Sequence, residues 1–194
     1  MKIGIFGGCF NPPHNMHKNI AGYLISEGYV DKVIFVPTGN NYAKQELLDI
    51  DTRTAMINLM IDNSKISVSD VSKNLEYQYT FEVLDYFQTQ YPQDTIYFIC
   101  GTDNLREFET WKKHEYILEK YRLLVVIRDK DNIKEILCEY GEYKDRIIAV
   151  NIKQSGISST LVRQSVKEGK NEELKQYLDE NVLKYILEKD LYKD

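Results

Sequence analysis

The chain has 194 residues, 43% of them hydrophobic and 28% charged, with a formal net charge of −5 and a pI near 5.4. This is the size and composition of one globular domain spanning residues 1–194. Lys and Arg form no block, which argues against nucleic acid or an anionic membrane as partner, and no apolar stretch approaches the length of a membrane span. The three cysteines, Cys9, Cys100 and Cys138, are far apart and odd in number. They read as reduced thiols of a cytoplasmic protein rather than as a disulfide framework or zinc ribbon. The N-terminus runs straight into a strand-like segment without the apolar core of a signal peptide.

Lys2–Phe6 is a short apolar run ending in Gly7-Gly8, which predicts a buried strand and a tight loop. From about His17 the spacing turns helical, with Ile20/Leu24 and Ala21/Ile25 as i, i+4 pairs and Gly28 placed to end the helix. Lys32–Pro37 is a second strand, stopped by its proline. A helix follows, with Asp51 or Thr52 as N-cap and Ala55, Met56, Leu59 and Met60 as its apolar face. Ile66–Val71 predicts a third strand. The next helix carries Leu84, Phe87 and Tyr91 on one stripe and ends at Pro92. Thr95–Cys100 is a strand running into Gly101. Two helical pieces around Trp111 and Tyr116 lead to a strand over Arg122–Arg128. A helix over Asn132–Tyr140, a strand over Arg146–Asn151 and helices from Ser158 onward complete the chain.

Strands alternate with helices, and the strands are continuous apolar runs. That pattern predicts an α/β fold: a Rossmann-like, doubly wound, mostly parallel sheet with helices on both faces and a helical C-terminus from about residue 158. In such a sheet, ligands bind beyond the carboxyl ends of the strands, here Gly7-Gly8, Pro37, Gly101 and Arg128.

The stretch "GGCFNPPHNMH", Gly7–His17, concentrates the chemistry. The glycine pair lets a ligand come close to the backbone. The segment joins a strand to a helix, so free N–H groups and a positive helix end face the strand terminus. With Pro13 at the first helical position, His14 and His17 project from one face of the first turn. Two imidazoles beside a helix N-terminus suit a polyphosphate that gains charge in a transition state. A zinc site would need further ligands, and only Cys9 and the distant His114 are on offer. The dinucleotide pattern G-x-G-x-x-G is absent. In "GISSTLVR", Gly156–Arg163, Ser158 or Ser159 can cap a helix, and Arg163 one turn on can reach the same oxygens with a bidentate fork.

"GGCFNPPHNMH" resembles the G-G-[ST]-[FY]-[DN]-P-x-H-x-G-H signature of the nucleotidyltransferase α/β-phosphodiesterase superfamily. "GISSTLVR" resembles its second signature, I-S-S-T-x-[IV]-R, in the nicotinamide and nicotinate mononucleotide adenylyltransferases. "EYQYTFEVLDYFQTQYP", "GTDNLREFETW" and "VLKYILEKDLY" are similar to further segments of the bacterial nicotinate enzymes, so the likeness runs the length of the chain in order. Three features depart from it. Met16 replaces the usual glycine between the histidines, where its bulk could obstruct the triphosphate path. Cys9 replaces Ser or Thr. The segment "PTGNNYAKQELL" is closer to the eukaryotic-type enzymes, with Lys44 matching the lysine of either pattern.

The resemblance implies adenylyl transfer from ATP to nicotinate mononucleotide, giving nicotinate adenine dinucleotide and pyrophosphate, with magnesium carried by the triphosphate. It implies catalytic roles for His14, His17, Lys44 and Arg163. ATP would contact Gly7, Gly8, Cys9, Phe10, His14, His17, Gly101, Asp103, Arg128, Ile157, Ser158, Ser159, Thr160 and Arg163. The mononucleotide would contact Phe10, Asn11, Lys44, Tyr79, Thr80 and Trp111. Several of these residue types have ordinary uses too: Thr80 as a helix cap, Trp111 in the core, and Lys44 and Arg128 as solvated surface. Rival readings are an amide-preferring or dual enzyme, a pantetheine-phosphate adenylyltransferase or cytidylyltransferase, and a non-catalytic nucleotide-binding module. The sequence allows a homo-oligomer and does not fix the oligomeric state.

Overall fold

A computed structural model of the chain describes residues 1–40, 46–127, 131–138, 140–152 and 156–193. Six strands form one sheet: β1 (Lys2–Gly8), β2 (Lys32–Pro37), β3 (Ile66–Val68), β4 (Thr95–Gly101), β5 (Arg122–Val126) and β6 (Ile147–Val150). Their order is β3-β2-β1-β4-β5-β6 and every pairing is parallel. The helices are α1 (Asn15–Ser26), α2 (Ile50–Met60), α3 (Thr80–Gln90), α4 (Thr102–Arg106), α5 (His114–Lys120), α6 (Ile133–Cys138), α7 (Ser159–Lys167), α8 (Asn171–Tyr177) and α9 (Glu180–Glu188).

After their polar first residues Lys2, Lys32, Thr95 and Arg122, the central strands run apolar because both faces of the sheet are covered. Alternate residues divide between two cores. Val33, Phe35, Tyr97, Ile99, Leu124 and Val126 pack with α1, α2 and the C-terminal helices α7–α9. Ile3, Ile5, Ile34, Val36, Phe98, Leu123 and Val125 pack with α3, α4, α5 and α6. The strand order runs outward in both directions from the β1–β4 pair, so the carboxyl ends of these two strands meet where a doubly wound sheet opens a crevice.

Some boundaries differ from the sequence reading. Helix α2 is capped by Asp49, whose carboxylate accepts from Thr52 N at 2.9 Å, rather than by Asp51 or Thr52. Its buried face is Ile50, Arg53, Met56, Ile57 and Met60, while Leu59 is exposed. Strand β3 ends at Val68, and Val71 opens a short 3₁₀ turn. Gly28 does end α1: it sits at φ +72°, beyond the Glu27 cap, in the left-handed region that glycine enters without steric cost.

Candidate active site

At the end of β1 the backbone is forced close to its neighbours. A Cβ at Gly7 would lie 2.9 Å from the Phe98 ring, and one at Gly8 would lie 3.0 Å from the Phe10 ring. Phe10 takes φ +47°, a conformation costly for a side-chain-bearing residue. Burial offsets that cost. Its ring is 3% exposed and meets Phe6, Phe35 and His17 edge-on, with centroids 5.6, 5.2 and 4.9 Å away. Phe10 is therefore a wedge beneath His17.

Helix α1 begins at Asn15 rather than Pro13, which makes His14 its N-cap, with extended dihedrals. The two histidines are brought together all the same: their rings stack at 3.7 Å and 22°. The His14 backbone N–H donates to His17 Nδ1 at 3.1 Å. A neutral His17 with Nδ1 accepting carries its proton on Nε2, so that nitrogen is a fixed donor. Met16 is 5% exposed and packs in the core with Ile20 and Leu24, so its bulk fills the interior instead of the triphosphate path. Cys9 contributes its carbonyl, which accepts from Arg53 Nη1 at 2.9 Å.

The second signature lies against the first. Ser158 caps α7, its hydroxyl accepting from Leu161 N at 3.1 Å, a contact of about 1 kcal/mol. The Ser159 hydroxyl donates to the Pro12 carbonyl at 2.9 Å, and Arg163 Nη1 donates to the Asn11 carbonyl at 2.9 Å. Arg163 Nη2 reaches Thr160 Oγ1 at 3.5 Å, and its Nε lies 3.6 Å from the Glu46 carboxylate. Ile157 packs half-buried on the core, leaving Ser158 and Thr160 exposed at the helix start.

Asn11 is 2% exposed and its side chain is occupied. Oδ1 accepts from Leu48 N at 3.3 Å and from the Tyr192 hydroxyl at 2.9 Å, and Nδ2 donates to the Glu46 carbonyl at 2.8 Å. Burial raises the Tyr192 phenol above its ordinary value, against the opposing influence of Arg163 and Arg53, so it acts as a neutral donor. Asn11 thus ties the turn after β1 to the start of α2 and to the C-terminal segment.

Sequence reasoning missed this hub and one further feature. Arg53 is wholly buried, and among the described residues its fork is bound by oxygens of uncharged groups: Leu48 O at 2.7 Å, Cys9 O at 2.9 Å, Thr38 O at 2.6 Å and Thr38 Oγ1 at 3.4 Å. Burial lowers its pKa, while the negative charge available at Cys9, Tyr192 and Asp49 pulls it back up. The signal in the sequence is an arginine falling three residues after Ile50 and four before Ile57, on the apolar stripe itself.

On the other face of the sheet, Gly101 caps α4 and Asp103 is exposed in its first turn. Trp111 is half-buried, with Phe98 edge-on at 5.7 Å and Phe108 at 5.1 Å. It therefore packs on the same Phe98 ring that blocks a side chain at Gly7. Thr80 opens α3, and Tyr79, its cap, is 46% exposed with Lys112 Nζ 4.0 Å above its ring. The backbone N–H of Tyr79 donates to Glu82 at 3.0 Å, so Thr80 is not the cap. Lys44 and Arg128 lie outside the described residues. Among the described residues, no three His, Cys, Asp or Glu side chains converge to hold a metal ion, and no helix is long and apolar enough to cross a membrane.

Residues 5–165 match the cytidylyltransferase-like family model. A curated relative from Caldicellulosiruptor saccharolyticus, named "Probable nicotinate-nucleotide adenylyltransferase", is 36% identical over the full length of both chains. One of the same name from Clostridium tetani is 32% identical over 99% of each. A solved structure, Plasmodium falciparum nicotinic acid mononucleotide adenylyltransferase complexed with NaAD, superposes with a TM-score of 0.84 over 98% of this chain and 97% of that one; at 23% identity it is a likeness of fold. Sequence identity from end to end, together with the family match, makes this chain a member of the cytidylyltransferase-like family, in the group of the nicotinate-nucleotide adenylyltransferases.

Proposed function

We propose that the protein transfers the adenylyl group of ATP to nicotinate mononucleotide, releasing pyrophosphate. The observation that carries this reading is the meeting of the two signature segments: Ser159 and Arg163 are hydrogen-bonded to the Pro12 and Asn11 carbonyls, beside the stacked His14 and His17. In the reaction an oxygen of the mononucleotide 5′-phosphate attacks the α-phosphorus in line. A new P–O bond forms, the bond from the α-phosphorus to the bridging oxygen breaks, and pyrophosphate leaves with the electron pair. The nucleophile is already ionised near neutral pH, so catalysis consists of positioning and charge stabilisation.

In this reading His17 donates from Nε2 to an α-phosphate oxygen, and His14 serves the α/β region. Ser159, Thr160, Arg163 and Lys44 receive the departing pyrophosphate. Gly7, Gly8 and the Cys9 backbone let the triphosphate approach, and Asp103 accepts from ribose hydroxyls. Trp111, with Tyr79 and Thr80, takes the pyridine ring. Asn11 and Phe10 act from below, by holding the turn and the His17 ring. Magnesium belongs to the nucleotide substrate and needs no protein cage of its own.

The test is pyrophosphate release from ATP and magnesium with nicotinate or nicotinamide mononucleotide. Release at least tenfold faster with the acid is expected. Comparable rates would make the enzyme dual, and no release with either, despite ATP binding, would overturn the substrate assignment.

A further inference from the structure

Arg53 stands on the buried stripe of α2 between Ile50 and Ile57, where Leu or Met would pack without desolvating a charge. Burying a guanidinium is expensive, and the usual compensation is a carboxylate. Among the described residues Arg53 forms no ion pair. Its partners are instead three backbone carbonyls and one hydroxyl, from three separate segments. Cys9 lies one residue beyond β1, Thr38 one residue beyond β2, and Leu48 just before α2. Two of these are the carboxyl ends of adjacent strands, where parallel ladders run out of partners.

The Cys9 contact has a directional consequence. The Cys9–Phe10 peptide is trans, so its carbonyl and the Phe10 N–H point in opposite directions. With the carbonyl held by Arg53, the Phe10 N–H is aimed away from the guanidinium. The Leu48 contact adds a second tie, because the Leu48 N–H donates to Asn11 in the same turn. One fork thus sets the turn between Gly8 and His14 from beneath, through Cys9 directly and through Leu48 and Asn11. The positive charge also sits in a region of low dielectric, where it is weakly screened.

We propose that Arg53 is a positioning residue for adenylyl transfer: its fork fixes the turn that presents backbone N–H groups and the histidine pair to the triphosphate. This rests on the proposed function. A residue acting in this way governs alignment more than affinity, and misplacement by about 1 Å can cost on the order of a hundredfold in rate. Lysine at this place keeps the charge and loses the fork.

The experiment compares wild type with Arg53→Lys and Arg53→Met for pyrophosphate release, for calorimetric ATP affinity and for thermal unfolding. Arg53→Lys is expected to remain folded, to lose at least tenfold in kcat and to change the KM for ATP by less than threefold. A folded Arg53→Lys with kcat within threefold of wild type would overturn the proposal. If neither variant folds, the Arg53 Nε–H resonance of the wild type decides. It is expected to shift when a non-hydrolysable ATP analogue is added, and an unmoved signal would overturn the role. If the wild type releases no pyrophosphate, it is the proposed reaction that fails. Arg53 is then judged on its Nε–H resonance in the wild type: a shift on adding the non-hydrolysable ATP analogue supports it and an unmoved signal removes it.

Discussion

The two faces of the sheet build their halves of the site by different means. On the α1/α7 side the turn after β1 is held by directional bonds from three distant parts of the chain: Leu48 and Arg53 at the start of α2, Arg163, and Tyr192. On the α3/α5 side, Trp111 and Tyr79 are placed by ring packing and by a lysine over an aromatic face, and Tyr79 is nearly half exposed. The contrast matches what each half would have to do. In-line displacement at phosphorus requires atoms fixed to a fraction of an ångström, which hydrogen bonds can impose. A planar ring needs a flat apolar surface at the right height, which packing supplies.

Substitutions on the first face should therefore act on kcat, and the largest effect is expected at His17. Replacing His17 by Ala removes the proposed Nε2 donor and should lower kcat by about 10²–10³-fold, the scale of losing one oxyanion donor. A loss below about fivefold in steady-state pyrophosphate release would falsify a role in the chemistry. Next comes Arg163→Ala, expected to lower kcat/KM for ATP by about a hundredfold. Two things are lost there, the guanidinium proposed to face the pyrophosphate and the bond to the Asn11 carbonyl. Arg163→Lys should recover little, because one ammonium cannot serve the carbonyl and the phosphates together. Full recovery with Lys would mean that only charge matters at this position.

On the second face the effect should be smaller and should appear in KM. Trp111→Ala should raise the KM for the mononucleotide by roughly tenfold, the worth of about one aromatic contact, and leave kcat within threefold. Trp111→Phe should restore most of it. If Trp111→Ala instead lowers kcat as much as His17→Ala, the division between the two faces is wrong, and the Phe98 ring shared by Trp111 and Gly7 becomes the link to examine.

What the sequence disclosed is what local spacing determines. Strand β2 matches its expected span residue for residue, because a continuous apolar run closed by Pro37 leaves little choice. The histidine pair and the Ser158 cap are local features of short spacing: the rings meet although His14 stands before α1 as its N-cap instead of on the first turn, and Ser158 is one of the two serines the spacing offers. The start of α2 differs from the expected Asp51 or Thr52, since Asp49 lies close before both and its carboxylate accepts from Thr52 N. The Asn11 hub could not be read, because its partners come from residues 46–48, 163 and 192 and no local pattern signals them. Arg53 was legible in principle. A charged residue in a helix is ordinarily assigned to solvent, and here the i, i+3, i+4 spacing to Ile50 and Ile57 outweighs that habit.

The smallest predicted effect supplies the control for both faces. Asp85, in the middle of α3, accepts from Lys120 Nζ at 2.7 Å, the Tyr121 hydroxyl at 2.5 Å and the Tyr116 hydroxyl at 2.9 Å. Burial by itself would raise this carboxyl, but the bonds from Lys120, Tyr121 and Tyr116 outweigh it and hold the pKa below the ordinary 3.8. A carboxyl depressed in the folded state stabilises the protein above its unfolded pKa, and that stability is lost as pH falls through the folded value. Asp85→Asn should therefore cost about 1 kcal/mol near pH 7, a modest figure because the pair with Lys120 is partly solvated. Thermal unfolding should drop by about 2–4 °C at pH 7. The gap between variant and wild type should narrow below pH 3.8, as the wild-type carboxyl takes up its proton. Neither kcat nor the KM for the mononucleotide should change by more than about twofold. A larger change in that KM would mean that the cluster in the middle of α3 reaches Tyr79 and Thr80 through the helix, and that the half proposed to bind the ring is less independent of its framework than packing alone implies.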